Sequence, residues 1–104
     1  MGLLIFYVPC PHAESAQELV SHLLSKRLIA CGNIIPSNSI YFWEGSYSNE
    51  NEWIAILKSV SELSDILETS IKEIHPYDTP AIVSWHANCN IEYLEWVKSQ
   101  LFKV

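Results

Sequence analysis

The chain has 104 residues, enough for one compact domain with a radius of gyration of about 13 Å and too few for two. Its apolar share of 49%, with Trp 4, Tyr 5 and Phe 3, supplies a core and excludes intrinsic disorder. Six Lys and Arg against twelve Asp and Glu give a formal charge of -6, and no basic cluster is dense enough to follow a phosphate backbone, so nucleic acid is excluded as a partner.

In chain order, the apolar run Leu3 to Val8 meets Pro9 and Pro11 at once and predicts a first strand. It is far shorter than the roughly twenty apolar residues of a membrane span and lacks the longer apolar region of a secretory signal. The expected location is the cytoplasm, with no membrane contact. Ala16, Leu19, Val20, Leu23, Leu24 and Leu28 recur near the helical period, which predicts a helix over His12–Arg27.

Residues Gly32–Tyr47 are rich in β-branched and aromatic side chains and predict one long strand, with a bulge or bend at Pro36. Ser48 to Asn51 carry turn chemistry, so the expected connection is a β-hairpin turning there, into a central strand from Trp53 to Leu57. Ser61 is placed to cap a second helix, with Glu62 and Asp65 in its first turn. His75-Pro76 ends that helix near Ile74, because proline disfavours the α conformation at the residue before it. Ala81–Trp85 predicts a fourth strand and Ile91–Phe102 a short last helix.

The order βαββαβ plus a C-terminal helix predicts an α+β ferredoxin-like sandwich: a four-stranded antiparallel sheet with an extended β2-β3 hairpin and helices on one face, formed by residues 1–104 as a single domain. The other face is left open, and Tyr41, Trp43 and Trp53 are expected to add aromatic area to it. Self-association follows, and a trimer is compatible with it.

Five separated motifs carry a family resemblance: Leu28-Ile29-Ala30-Cys31-Gly32-Asn33-Ile34-Ile35-Pro36, Ile40-Tyr41-Phe42-Trp43-Glu44-Gly45, Glu52-Trp53 followed by Lys58, His75-Pro76-Tyr77-Asp78-Thr79-Pro80, and Tyr93-Leu94-Glu95-Trp96. In this order and spacing the sequence resembles the CutA, or divalent-ion-tolerance, family over nearly its full length. The resemblance implies a ferredoxin-like protomer, a homotrimer built with the extended hairpin, and an association with tolerance of copper or other divalent metal. After Pro80 the chain departs from the family pattern, with Trp85-His86 and Asn88-Cys89-Asn90 where relatives carry Leu-Pro and a glycine-containing turn.

Candidate chemistry falls into two groups. Three cysteines without a CxxC pair argue against a disulfide framework or a four-cysteine zinc site. Cys31 reads either as a small packing residue or as a soft ligand for copper. Cys10 and His12 at the end of the first strand are expected near the loop of His75, as a thiolate-imidazole metal cluster or as ordinary strand and helix termini. Cys31 and Cys89 are expected at opposite edges of the protomer, joined only across a subunit interface.

The second group is His75, Tyr77, Trp43, Glu44 and Lys58, read as interface structure, as a small-molecule or anion pocket at a subunit boundary, or as an acid-base site with His75 moving a proton, Glu44 activating water and Lys58 stabilising charge. No hydrolase elbow, phosphate loop, dinucleotide fingerprint or HExxH motif is present. The expectation is therefore a non-enzyme with no tightly bound cofactor, in which the tryptophans serve packing.

Overall fold

The computed structural model describes residues 2–103. Strand β1 (Leu3–Cys10) leads to α1 (Ala13–Ser25), then to the long strands β2 (Cys31–Trp43) and β3 (Ser46–Ser59); α2 (Ser64–Ile74), β4 (Val83–Ala87) and α3 (Ile91–Gln100) complete the chain. The four strands form one antiparallel sheet in the order β2-β3-β1-β4. This is the ferredoxin-like α+β arrangement with an added C-terminal helix.

The hairpin turns earlier than the polar run suggests. Glu44 and Gly45 both adopt left-handed backbone, at φ 51° and 79°, and Trp43 pairs with Ser46. A two-residue turn of this kind matches the right-handed twist of its strands, which the longer Ser48–Asn51 alternative does not require. Ser48 to Asn51 instead continue β3 in register with Asn38 to Tyr41.

Pro36 also differs from expectation. The β2-β3 register runs unbroken from Cys31↔Lys58 to Trp43↔Ser46, with Pro36 opposite Trp53, so there is no bulge. The tight turn makes Trp43↔Ser46 a hydrogen-bonded pair, and alternation leaves Pro36 at a position whose nitrogen faces away from β3. Because β2 is an edge strand, the missing N–H costs no ladder bond.

Other boundaries shift for local reasons. His12, in extended backbone, is the residue before α1; its N–H donates to Ser15 Oγ at 3.2 Å. Ser61 does not cap α2, since Ser61–Leu63 form a separate 3-10 turn. The fourth strand begins two residues late, at Val83, because Ala81 remains in the loop after Pro80. The third helix ends at Gln100, and the Phe102 N–H donates to the Arg27 carbonyl at 2.7 Å.

Residues that pair across strands share a sheet face. Leu4, Phe6, Val8 and Cys10 align with Ser59, Leu57, Ala55 and Trp53 on the face covered by α1 and α2. Phe6, Leu23, Leu57, Leu67 and Ile71 are fully buried there. Trp53 therefore packs against this core and does not extend the open face.

The opposite face carries Leu3, Ile5, Tyr7 and Pro9, aligned with Ala87, Trp85 and Val83 of β4 and with Lys58, Ile56 and Ile54 of β3. Leu3 and Ile5 are buried in one cluster with Leu94, Val97 and Leu101, so α3 closes one end of this face. Toward the hairpin it stays open: Tyr7, Ile35, Tyr41, Trp43, Val83 and Trp85 are all exposed. The hairpin tip projects, giving extents of 45 × 25 × 21 Å and a radius of gyration of 14.3 Å, above the roughly 13 Å of an equally long compact chain.

Gly32 lies under α1, where an added Cβ would sit 2.7 Å from Val20 Cγ1. Gly32→Ala is expected to lower stability by about 1–3 kcal/mol through overpacking. Gly45→Ala, with open space around it, should cost about 1 kcal/mol through backbone strain alone. Urea denaturation at one fixed protein concentration measures both.

Candidate functional site

Where the hairpin leaves the body of the sheet, its open face meets the loop between α2 and β4. The space between them is a cleft of about 590 Å³. Pro9 supplies its floor from β1, Tyr41 and Trp43 come from β2, Glu50 and Glu52 from β3, and Pro76 to Thr79 with Ala81 from the loop. The strand residues converge because each occupies the same parity of the β2-β3 ladder.

The loop is pinned through a histidine. His75 is buried at the end of α2, and its N–H donates to the Ile71 carbonyl at 2.9 Å. The Tyr77 N–H donates to His75 Nδ1 at 3.1 Å. Nδ1 is thus an acceptor, so Nε2 carries the hydrogen and donates it to the Pro9 carbonyl at 2.7 Å. Both ring nitrogens are occupied in holding the loop against β1, which leaves His75 no free nitrogen for proton transfer to a bound molecule.

Two tyrosine-carboxylate pairs line the cleft. The Tyr77 hydroxyl donates to Glu52 Oε2 at 2.6 Å, and the Tyr41 hydroxyl donates to Glu50 Oε2 at 3.2 Å. Glu52 is only 7% exposed. Burial, then the hydrogen bond and charge of Glu52, hold the Tyr77 phenol well above its ordinary value. At Tyr41 the same direction follows, with desolvation first and Glu50 after it.

Of the expected pocket residues, Trp43 and Tyr77 line the cleft, while His75, Glu44 and Lys58 do not. Glu44 is in the hairpin turn and does not line the cleft. Lys58 is six residues along β3 from Glu52, roughly 20 Å at the usual strand rise. There its ammonium donates to Asn33 Oδ1 and lies 3.8 Å from Cys31 Sγ. His75, Glu44 and Lys58 are consequently not assembled into one acid-base group. The sequence reading missed Glu50, Glu52 and Asp78; the signal was available in the period-two alternation of Ser46–Ile54, once the turn is placed at Glu44-Gly45.

Cys10, His12 and His75 likewise do not form a three-ligand group, and among the described residues no three His, Cys, Asp or Glu side chains converge to hold a metal ion. Cys10 is 1% exposed, in the core, where burial first and Glu52 second push its thiol up to about 11. Cys31 is half-buried and Cys89 exposed. Cys31 opens β2 and Cys89 follows β4, the two opposite edges of the sheet, as expected; burial first, and then Cys31 and Cys89, raise the Tyr93 phenol above its usual range.

A ferredoxin-like unit with an extended hairpin and a cleft at the hairpin root defines the class: a small α+β sheet protein. The profile of the "CutA1 divalent ion tolerance protein" family matches residues 4–100, and the chain belongs to that family. A Pyrococcus horikoshii protein named divalent-cation tolerance protein CutA is 42% identical over 96 residues, 91% of this chain and 94% of its own length. The crystal structure of CutA1 from the same organism matches with a TM-score of 0.94 at 40% identity, covering 96% of this chain and 99% of that one. CutA1 from Oryza sativa gives 0.93 at 33% identity, covering 98% and 95%.

Two measurements check this geometry. A thiol reagent near neutral pH should label Cys89 and Cys31 while Cys10 reacts only after unfolding, read by mass spectrometry of peptides. Because the folded state raises the Tyr77 phenol, the folded chain keeps a proton that the unfolded chain loses above about pH 10. Stability is therefore intact below that pH and falls as pH rises beyond it. Tyr77→Phe should flatten this alkaline decline in urea titrations and, by stranding Glu52, lower stability at neutral pH by about 1–3 kcal/mol.

Proposed function

We propose that this chain serves divalent-cation tolerance as a homotrimeric non-enzyme, acting through surfaces completed by neighbouring copies. The observation that carries this reading is the open face itself. Tyr7, Ile35, Val83 and Trp85 share this side of the sheet with Tyr41 and Trp43, and all are exposed. On the reverse of the hairpin tip, Ile40, Phe42 and Tyr47 are exposed as well, with Phe42 and Tyr47 packed edge to face at 5.9 Å. A two-stranded ribbon is marginal alone in water, and exposed apolar groups of this size mark an interaction surface.

Cys31 is the proposed soft donor for copper, since it is the half-buried thiol beside polar neighbours and soft thiolates favour Cu(I). Cys10 is a poorer donor because its buried thiol resists deprotonation.

Native mass spectrometry, with and without Cu(I), tests both parts. Three chains per particle are expected, and Trp85→Asp should shift the population to monomer. Specific Cu(I) uptake should fall in Cys31→Ser while the trimer persists. A folded wild-type monomer, or uptake indifferent to Cys31, would overturn the corresponding part.

A second reading, a small-ligand-binding module, is favoured by the cleft between the hairpin and the loop at Pro76–Ala81, whose volume falls within the usual range of ligand sites.

A further inference from the structure

We propose that Cys31 and Lys58 form an acyl-relay pair, in which the Cys31 thiol accepts an acyl group from a small acyl thioester and passes it to the Lys58 amine as a stable amide. The pair lies at the far end of β3 from the hairpin-root cleft and needs no metal, so it is independent of both readings above.

The ladder sets the two groups side by side. Cys31 and Lys58 are direct partners across β2 and β3, so their side chains leave the same face of the sheet. Lys58 Nζ lies 3.8 Å from Cys31 Sγ. Asn33 Oδ1 accepts from the Lys58 ammonium and from the Cys31 thiol, which holds the end of the lysine over the sulfur. Both residues are half-buried, open enough for a small reagent and ordered enough that reaction costs little further freedom. Cys10 has no such partner: it is sealed in the core and donates to the Val8 carbonyl, which cannot take an acyl group.

The relay needs two transfers. The Cys31 thiolate, the nucleophilic form of the thiol, attacks the thioester carbonyl carbon. The bond from that carbon to its own sulfur breaks, and the departing thiolate takes up the proton that Cys31 released. The neutral Lys58 amine then attacks the same carbon: a C–N bond forms, the bond to Cys31 Sγ breaks, and the proton shed by the amine returns to that sulfur. The products are an acylated Lys58, a free Cys31 and a free small thiol, with no oxidant or reductant consumed. Direct attack by a lysine on a dissolved thioester is slow, because nearly all of the amine is ammonium near neutral pH. An acyl group already on Cys31 removes the encounter step. Its carbonyl carbon sits one bond beyond Sγ, within reach of a nitrogen 3.8 Å from that sulfur and close to the roughly 3–3.5 Å of a reactive approach. Acylation then removes the Lys58 charge and with it the ammonium contact to Asn33.

Incubation of the native protein with S-acetyl-N-acetylcysteamine, a small acetyl thioester, followed by peptide mass spectrometry, tests this. Lys58 should be acetylated about tenfold or more faster than Lys72, although the Lys72 side chain is 60% exposed. Cys31→Ser should bring Lys58 down to the rate of Lys72, and Lys58→Arg should leave the acetyl group on Cys31 as a thioester that hydroxylamine removes. Acetic anhydride, which acylates amines without a thiol, should label Lys58 equally in the wild type and in Cys31→Ser, showing that the amine is still reachable. Acetylation of Lys58 no faster than that of Lys72, or unchanged by Cys31→Ser, would overturn the relay, as would a thioester that stays on Cys31 of the wild type. The comparison of the two lysines needs no variant, so it decides the matter even if Cys31→Ser fails to fold.

Discussion

The register between β2 and β3 is the constraint on which the remainder depends. A slip of β2 by one residue against β3 would send the side chains of β2 to the opposite face. Tyr41 and Trp43 would then leave the cleft, and Ile40 and Phe42 would replace them on that side. Two local features hold the pairing. The left-handed Glu44-Gly45 turn accepts only one closing pair, Trp43↔Ser46, and the buried alternation of Trp53, Ala55 and Leu57 against the helices fixes the other end. Between them the ladder has no bulge to absorb an error.

On this frame the loop after α2 takes its position from few contacts of high quality. His75 ties it to β1 through Pro9, and Tyr77 ties it to β3 through Glu52. Pro76 and Pro80 reduce the freedom the loop would otherwise lose on folding. The cleft is thus walled by one rigid ribbon and one restrained loop. The histidine that looks chemically active in sequence is spent on architecture, and the polar character facing the cleft belongs to glutamates that strand parity brings there.

Much of the fold was legible because its signals are local. Leu19, Val20 and Leu23 announce α1, Ile71 and Ile74 close α2 before Pro76, and the five family motifs identify the chain over nearly its whole length. The turn was misread because Ser48 to Asn51 have the stronger turn composition, while Glu44 adopts a left-handed backbone that its residue type does not advertise. The site was less legible still, since it depends on long-range placement. Lys58 and Glu52 share a strand face but not a location. A misplaced turn also hides the common parity of Tyr41, Glu50 and Glu52, so the acidic lining could not be seen from residue types alone.

Pro36 has a consequence for the outer side of the sheet. The even-numbered positions of β2 direct their backbone groups away from β3, and at Pro36 the donor in that series is missing. An incoming strand would find bonding continuous along Asn38 to Phe42 and interrupted at the proline. The chain thus carries a built-in stop against indefinite strand-by-strand stacking, which permits a closed assembly to use the distal half of this border while denying a growing fibril its full length.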